Sequence, residues 1–261
     1  MGQRLDTIVD REDGPAVVAV LRKDERDRET AAHSHARAQL FASVFGLVTV
    51  STNAGRWVMP PGRAMWIPPR VRHAARIHGP ADGWSLYLVP SVCAELPTAP
   101  RVLQVTSLLR ETIERAATWT PKTRALTPPE ERIARVLVDE IHHAASEPLH
   151  LPMPHSASLL RIARALLSRP ADARTEEEWA HVGGLAKRTL TRRFRTETGM
   201  SFGTWRTQLR ILVALEQLAA GRDVTNIAFD LGYTSVSAFI ATFRRAMGTT
   251  PKQYAIGVGK L

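Results

Sequence analysis

The fold of this chain is decided by residues 227–254, which read IAFDLGYTSVSAFIATFRRAMGTTPKQY. The same pattern of small, apolar, basic and aromatic residues occurs once before, 48 or 49 positions earlier. A repeat this regular predicts one structural unit that occurs twice in the C-terminal part. The matched pairs are Ala180/Ala228, Gly184/Gly232, Leu190/Phe239, Phe194/Phe243, Arg195/Arg244, Gly199/Gly248 and Trp205/Tyr254.

Each copy is predicted to be a helix, a tight turn and a second helix. Thr175 and Glu178 have the spacing of a capping box that opens the first short helix, and Gly184 permits a turn with positive φ. Leu190 and Phe194 lie four residues apart, so they face inward on the second helix. This is the helix-turn-helix pattern, whose second helix enters the major groove of DNA.

A long helix over 201–220 is predicted to join the two units. It has an apolar stripe and is followed by Gly221 as a helix end and Asp223 as the next N-cap. A rigid connection of this kind would present two recognition helices to successive major grooves, about 34 Å apart. The stripe consists of Trp205, Leu209, Leu212, Leu215 and Leu218.

This arrangement resembles the DNA-binding domain of the AraC/XylS family of bacterial transcription regulators. The resemblance covers about residues 156–256 and is most specific in the 227–254 stretch. It implies seven helices with two helix-turn-helix units bridged by a linker helix. It also implies double-stranded promoter DNA as a partner and activation through contacts with RNA polymerase.

The family's base-reading positions carry over to Arg188, Thr191 and Arg192 in the first unit. They lie opposite the inward-facing residues of the helix, where arginine can bind guanine O6 and N7 in a bidentate manner. Lys187 and Arg195, on the same face, are candidates for phosphate contacts. The alternative is that this is only a solvated basic surface.

The second unit has a more apolar set at the corresponding positions. Val236 and Ile240 either pack on thymine methyl groups or belong to the core. Ser235 is predicted to be the helix N-cap, where backbone amides suit a phosphate. The base-reading candidates are Val236, Ser237, Ile240 and Ala241, and the phosphate candidates are Ser235, Arg244 and Arg245.

The charge distribution agrees with a nucleic-acid partner for the C-terminal part. Residues 1–155 hold 19 basic and 17 acidic residues, whereas residues 156–261 hold 16 and 8. This places most of the net charge of +10 in the C-terminal part and favours a polyanionic partner there. With a single cysteine, Cys93, an internal disulfide and a thiolate zinc site are excluded. No apolar run is long enough for a transmembrane span or a signal peptide, so no membrane partner and a cytoplasmic location are expected.

The N-terminal half has the short apolar runs and turn signals of a β-sandwich or barrel. His33-Ser34-His35, Gln39 and a later His73 resemble the two cupin motifs, and regulators of the AraC/XylS family often carry such a barrel as a sensor. The four residues could hold a divalent metal, because imidazoles suit Fe, Ni, Cu or Zn. Gln39 stands where the motif has glutamate, which favours the alternative that they line an effector pocket and that no cofactor is required. Further pocket candidates are Trp57, Trp66, Trp84 and Arg72, with plain core as the alternative for the tryptophans.

The predicted fold class is α+β, with an N-terminal cupin-like β-barrel followed by helices and a C-terminal all-α domain with two helix-turn-helix units. The domains are a sensor over 1–100, a helical segment over 101–147, a proline-rich linker over 148–157 and the DNA-binding domain over 158–261. Within the helical segment, a helix from Pro128 has a stripe of Ile133, Leu137 and Ile141. This stripe either mediates a homodimer, the favoured interpretation, or packs on its own barrel.

The leading hypothesis is a sequence-specific transcription regulator that responds to an unidentified small molecule and is not an enzyme. One alternative is a metal-dependent cupin enzyme with an accessory DNA-binding domain. That alternative needs a charged and complete metal shell, which Gln39 argues against. Another alternative, a non-specific architectural DNA binder, is disfavoured by the polar face of the first recognition helix.

Overall fold

The computed structural model describes residues 7–24, 28–119, 124–147 and 149–258. The chain divides into two compact units. The N-terminal unit comprises Met1–Thr52 and Met59–His150, and the C-terminal unit comprises Asn53–Val58 and Leu151–Leu261. Among the described residues, no helix combines the length and the hydrophobicity needed to cross a bilayer.

The strands form antiparallel pairs along the path β1-β6-β3-β5-β7-β8, with β2 added on β6 and β4 paired with β9. In the part of the chain that is described, this path does not return to β1. The predicted α+β class, with an N-terminal domain of β-strands, is therefore confirmed. The strands form an open antiparallel sandwich, and their predicted closure into a barrel is wrong. The strands are β1 (Val17–Asp24), β2 (Arg28–His33), β3 (Ala38–Thr52), β4 (Gly55–Met59), β5 (Arg63–Ile67), β6 (His73–Leu88), β7 (Arg101–Gln104), β8 (Ser146–Glu147) and β9 (His150–Pro152).

Two helices, α1 (Ser107–Ala117) and α2 (Pro128–His143), cover the apolar face of this sandwich. Leu137 and Ile141 of α2 are 0% exposed and belong to the same core as the strand residues Leu40 and Trp66. Ile133 is partly buried against that core. The stripe therefore packs on its own domain, and its assignment to a dimer interface is wrong, because the strands leave an apolar face that needs this cover.

Several boundaries differ from the sequence-based prediction. Helix α1 begins only at Ser107, because Val102 and Leu103 are buried in β7, which pairs with both β5 and β8. The segment predicted to be helical over 101–147 thus begins and ends in strands, and the predicted linker over 148–157 contains β9. The charged residues Arg28 and Glu29 lie in strand β2, whose backbone pairs with β6 while these two side chains stay exposed.

Seven helices follow in the described part of the C-terminal unit. Both repeat units have the predicted turn, since Gly184 and Gly232 have φ of 66° and 76°. The predicted N-caps at Thr175, Asp223 and Ser235 each accept a hydrogen bond from a backbone amide of the following turn. The helices are α3 (Ala157–Ser168), α4 (Glu176–Gly183), α5 (Lys187–Thr198), α6 (Phe202–Ala219), α7 (Val224–Asp230), α8 (Val236–Met247) and α9 (Pro251–Val258).

The repeated aromatic residues build two equivalent cores. In the first unit the rings of Phe194 and Trp205 meet edge to face, with centroids 5.5 Å apart. In the second, Phe243 meets Tyr254 in the same way at 5.8 Å. The sequence repeat is therefore a repeat of packing, in which the last helical aromatic of each unit contacts its recognition helix.

The two turn glycines are expected to differ in their tolerance of alanine. Gly184→Ala should cost about 1 kcal/mol, since a side chain disfavours positive φ and an added Cβ there meets nothing within 4 Å. Gly232→Ala should cost at least about 1 kcal/mol more, because its Cβ would lie 2.9 Å from the carbonyl oxygen of Ala171. Chemical denaturation followed by helical circular dichroism measures both variants, and equal losses would contradict the role of the Ala171 contact.

Candidate nucleic-acid interface and ligand pocket

The first recognition helix, α5, presents the five polar residues that its sequence spacing predicts on one exposed face. Leu190 and Phe194 on the opposite face are 0% exposed, which fixes the rotation of the helix. Among the described residues, no carboxylate lies within ion-pair distance of Arg188, Arg192 or Arg195. Their guanidinium groups are therefore accessible to an external anion. The exposed residues are Lys187, Arg188, Thr191, Arg192 and Arg195.

Two residues of this face already contact acidic side chains of α4. The Thr191 hydroxyl donates to Glu176 Oε1 at 2.7 Å, and Lys187 Nζ lies 4.0 Å from Glu177 Oε2. The carboxylates stand in the first turn of α4, where the helix dipole favours negative charge. Sequence reasoning missed these contacts, although the three consecutive glutamates after Thr175 are a visible signal.

The opposite side of α5 is anchored by a buried carboxylate. Glu197 is 6% exposed at its side chain. It accepts hydrogen bonds from the backbone amides of His155 and Ser156 at 3.0 and 2.9 Å, at the start of α3. Its second oxygen faces Arg193, 3.4 Å away. This network holds the recognition helix rigidly against the first helix of the unit.

The second recognition helix, α8, buries only Phe239 and Phe243. Val236 and Ile240 are partly exposed, so the alternative that they belong to the core does not hold. The Ser235 hydroxyl accepts from the amide of Ala238 at 3.2 Å, which confirms it as the N-cap. The outer face forms a shallow groove lined by Ser237, Ile240, Ala241, Arg244 and Arg245.

The N-terminal unit encloses a cavity of about 360 Å³ that brings all four predicted pocket residues together. His33, His35, Gln39 and His73 line it, and so does Trp84. The other pocket candidates lie elsewhere: Trp57 and Trp66 are buried without lining the cavity and Arg72 is exposed. Sequence reasoning missed several polar lining residues, namely Arg22, Arg28, Thr30, Ser43, Asp82, Ser85 and Tyr87.

The three histidines form a compact cluster, with His33 and His73 directly opposite each other on β2 and β6. Their ring centroids lie 4.4 Å apart, and the centroid of His35, which follows β2, lies 5.8 Å from His33 and 5.2 Å from His73. Burial lowers the pKa of His73 to about 4 and also lowers the pKa of His35. Both rings are therefore neutral at neutral pH.

Gln39 is held beside the cluster by a network that starts at Arg22. The Arg22 guanidinium donates to Ser85 Oγ and to the Tyr87 hydroxyl, each at 3.1 Å. Gln39 Nε2 donates to the same two oxygens at 3.4 and 3.2 Å. This leaves Gln39 Oε1 facing His35 Nε2 at 3.2 Å. Ser85 and Tyr87 lie on one face of β6 because they are two residues apart.

A buried arginine fixes the segment before β1. Arg37 is 1% exposed and donates to the backbone carbonyls of four residues, at 2.6 to 3.1 Å. The segment so fixed includes Val9, which lines the cavity. Sequence reasoning missed Arg37, which lies only two residues after the H-x-H motif. The four acceptors are Ile8, Arg11, Asp13 and Pro15.

Two family models match the chain and together cover most of it. The model of the AraC-like ligand binding domain matches residues 15–182, and that of a helix-turn-helix domain matches residues 179–255. The first contains the three histidines of the cavity, and the second contains both recognition helices.

Characterised proteins with similar sequences are regulators. The HTH-type transcriptional regulator NimR of Escherichia coli strain K12 is 31% identical over 245 residues, 94% of this chain and 89% of that protein. The regulatory protein SoxS of the same strain is 40% identical over 76 residues, 29% of this chain and 71% of SoxS. Among solved structures, ToxT from Vibrio cholerae O395 is similar over 94% of this chain and 99% of ToxT, at 10% identity and a TM-score of 0.41.

Proposed function

The chain belongs to the AraC/XylS family of transcription regulators, with a ligand-binding N-terminal domain and a helix-turn-helix DNA-binding domain, and from this premise we propose how it recognises its promoter. Helix α5 is the main base reader, with Arg188, Thr191 and Arg192 directed at base edges. Lys187 and Arg195 hold phosphates on either side. The observation that carries this proposal is the exposed face of α5, where the arginines are clear of intramolecular carboxylates among the described residues.

The second recognition helix contributes differently to binding in this proposal. Its partly exposed Val236 and Ile240, with Ala241, offer an apolar surface for thymine methyl groups, and Ser237 offers a hydroxyl to a base. Arg244, Arg245 and the amides after Ser235 hold phosphates. We therefore expect sequence preference to be stronger in the half-site read by α5 than in the half-site read by α8.

The proposal is tested by selecting sites for the full-length protein from a random-sequence DNA library and footprinting the selected sites. We expect an asymmetric site with two protected major-groove segments, about 10 base pairs apart from centre to centre. A library that yields no enriched sequence, together with equal affinity for all fragments, would indicate a non-specific architectural DNA binder instead.

Replacing Lys187 with alanine should change the salt dependence of DNA binding without changing base preference. A residue that contacts one phosphate contributes about one unit to the slope of log affinity against log salt concentration. Titrations of the selected site at several salt concentrations measure this slope. Arg161→Ala, an exposed change on α3 outside both helix-turn-helix units, is the matched control and should leave the slope unchanged. A changed base preference in Lys187→Ala would contradict the phosphate assignment.

Family membership supports a proposal for the remaining partners. We propose that the regulator acts in the cytoplasm as a homodimer, contacts RNA polymerase at the promoter and binds its small molecule without converting it. The dimer contact uses a surface other than Leu137 and Ile141, since both are buried in their own domain. Sedimentation equilibrium tests the homodimer, and transcription with purified polymerase tests the contact with RNA polymerase. A monomer at all concentrations, or unchanged transcription, would refute the corresponding part.

A further inference from the structure

We propose that His33, His35 and His73 bind a divalent transition-metal ion in the ligand pocket, with Gln39 Oε1 as a fourth donor, and that this ion is a ligand to which the regulator responds. The proposal of a metal site is supported by the geometry of the N-terminal unit alone. The response to the ion rests on the proposed function as a regulator.

The hydrogen bonds of the three rings select the tautomer that binds metal. Each Nδ1 lies close to a backbone carbonyl oxygen: Ala31 for His33 at 2.9 Å, Arg37 for His35 at 2.6 Å, and Val71 for His73 at 2.9 Å. A carbonyl only accepts, so each Nδ1 carries the proton and donates it. The Nε2 atoms then keep their lone pairs. Donation from the non-ligating nitrogen to a carbonyl is the usual way in which proteins orient metal-binding histidines.

The three rings are also close enough to share one ion. One ring nitrogen of each histidine lies within 4.8 Å of the corresponding atom of both others. Nitrogens that ligate one zinc ion tetrahedrally at about 2.1 Å lie about 3.4 Å apart, so the rings must draw together on binding. The ring of His33, the least buried of the three, can make this movement, because it stands at the end of β2 after an irregularity in the strand register.

The contact between His35 and Gln39 suits a bound cation. His35 Nε2 carries a lone pair because its proton is on Nδ1, and the atom it faces at 3.2 Å is Gln39 Oε1, a second acceptor. Two acceptors at this distance repel each other unless a cation binds both. The Gln39 amide is held in this orientation by its two donations to Ser85 and Tyr87, whose hydroxyls are in turn held by Arg22.

The donor set defines the class of ion. Three neutral imidazoles and an amide oxygen suit Co²⁺, Ni²⁺, Cu²⁺ or Zn²⁺, and they do not suit Mg²⁺, which prefers carboxylates and water. The cavity of about 360 Å³ is much larger than an ion. The open side of the metal therefore has room for water or a small molecule.

Metal binding by the full-length protein, stripped with chelator and dialysed against Zn²⁺ or Co²⁺ alone, tests the site. We expect one ion per chain in the wild type, a visible Co²⁺ absorption typical of low coordination number, and no retention of Mg²⁺. His33→Ala and His73→Ala should each weaken Zn²⁺ binding by at least about tenfold. His143→Ala, an exposed histidine outside the cluster, is the matched control and should bind as the wild type does. Failure of the wild type to bind, or undiminished binding by His33→Ala, would overturn the site.

Substitution of Gln39 separates an oxygen ligand from a hydrogen-bonding neighbour. If Oε1 ligates the ion, Gln39→Leu, which keeps a side chain of similar size but has no donor atom, should weaken Zn²⁺ binding by about tenfold or more. If Gln39 is only a hydrogen-bonding neighbour of His35, Gln39→Leu should bind Zn²⁺ as the wild type does. That result would remove Gln39 from the donor set.

The regulatory part is tested by DNA affinity with and without Zn²⁺, using the selected site. We expect a change of at least about fivefold in the wild type and none in His33→Ala. Equal affinities in the wild type with the metal bound would refute the response to the ion. Failure to select any DNA site would count against the proposed function and would leave the metal measurement standing.

Discussion

Replacing Arg192 with alanine is expected to weaken binding of the selected operator by about tenfold or more and to relax base preference at one position. A bidentate arginine–guanine contact provides about 1–3 kcal/mol of discrimination, and 1.4 kcal/mol corresponds to a factor of ten. The loss should not be hidden by unfolding, since Arg192 is exposed and its neighbour Phe194 forms the buried face of α5.

Arg188 stands one turn earlier on the same face, so the double variant Arg188→Ala/Arg192→Ala should lose about a hundredfold or more if each reads its own base. Affinities for the selected site and for each single-base variant of it, measured by fluorescence anisotropy at fixed salt, give both the loss and its position. Arg161→Ala on α3 removes one positive charge and is the control for each single variant. If the double variant kept the full base preference at every position of the selected DNA site, α5 would not be the base-reading helix.

The C-terminal unit was predictable because its determinants are local. Capping residues such as Thr175 and Asp223, and turn glycines such as Gly184, act within a few residues of themselves, and both ends of most helices follow from them. The sequence repeat then showed the same pattern of turn glycines and inward-facing residues a second time. The contacts of α5 with Glu176 and Glu177 were not predicted, because the pattern fixes which face is exposed and not which neighbouring side chain reaches it.

The N-terminal unit was predictable only in part because its determinants are distant in sequence. The motif residues His33, His35, Gln39 and His73 were found, yet the network that orients Gln39 joins positions 46 and 48 residues apart, and no local pattern reports such a contact. The stripe of α2 illustrates the same limit. Its spacing predicts an apolar face correctly, but the partner that covers this face, another copy or its own sandwich, depends on the surface that the strands leave uncovered.

The second large effect is expected at Arg37, and it concerns the wall of the ligand pocket. Replacing Arg37 with methionine should lower the free energy of unfolding of the N-terminal unit by about 3 kcal/mol or more, because hydrogen bonds that involve a charged group contribute about 1.5–3 kcal/mol each and the buried carbonyls lose their donor. Four backbone carbonyls between Ile8 and Pro15 depend on this one side chain. Arg37→Lys should recover little of the loss, since a single ammonium group lacks the planar array of donors that reaches several carbonyls at once.

Loss of Arg37 should first loosen the segment that its side chain holds, while the rest of the N-terminal unit stays folded. The segment that Arg37 holds includes Val9, whose carbonyl accepts from the Arg37 amide at 3.1 Å and whose side chain lines the cavity. Hydrogen exchange should therefore accelerate most at the amides of Arg11 and Arg37, which are bonded to Ile8 and Val9, and the pocket should lose affinity for Zn²⁺ if the metal site needs this wall. Arg72→Met removes an exposed arginine from the same unit and should change neither stability nor exchange.

Because the recognition helices belong to the other unit, Arg37→Met should retain binding to the selected DNA site below the melting temperature of the variant. A loss of DNA binding as severe as that of the α5 double variant would show that the segment held by Arg37 also controls the DNA-binding domain.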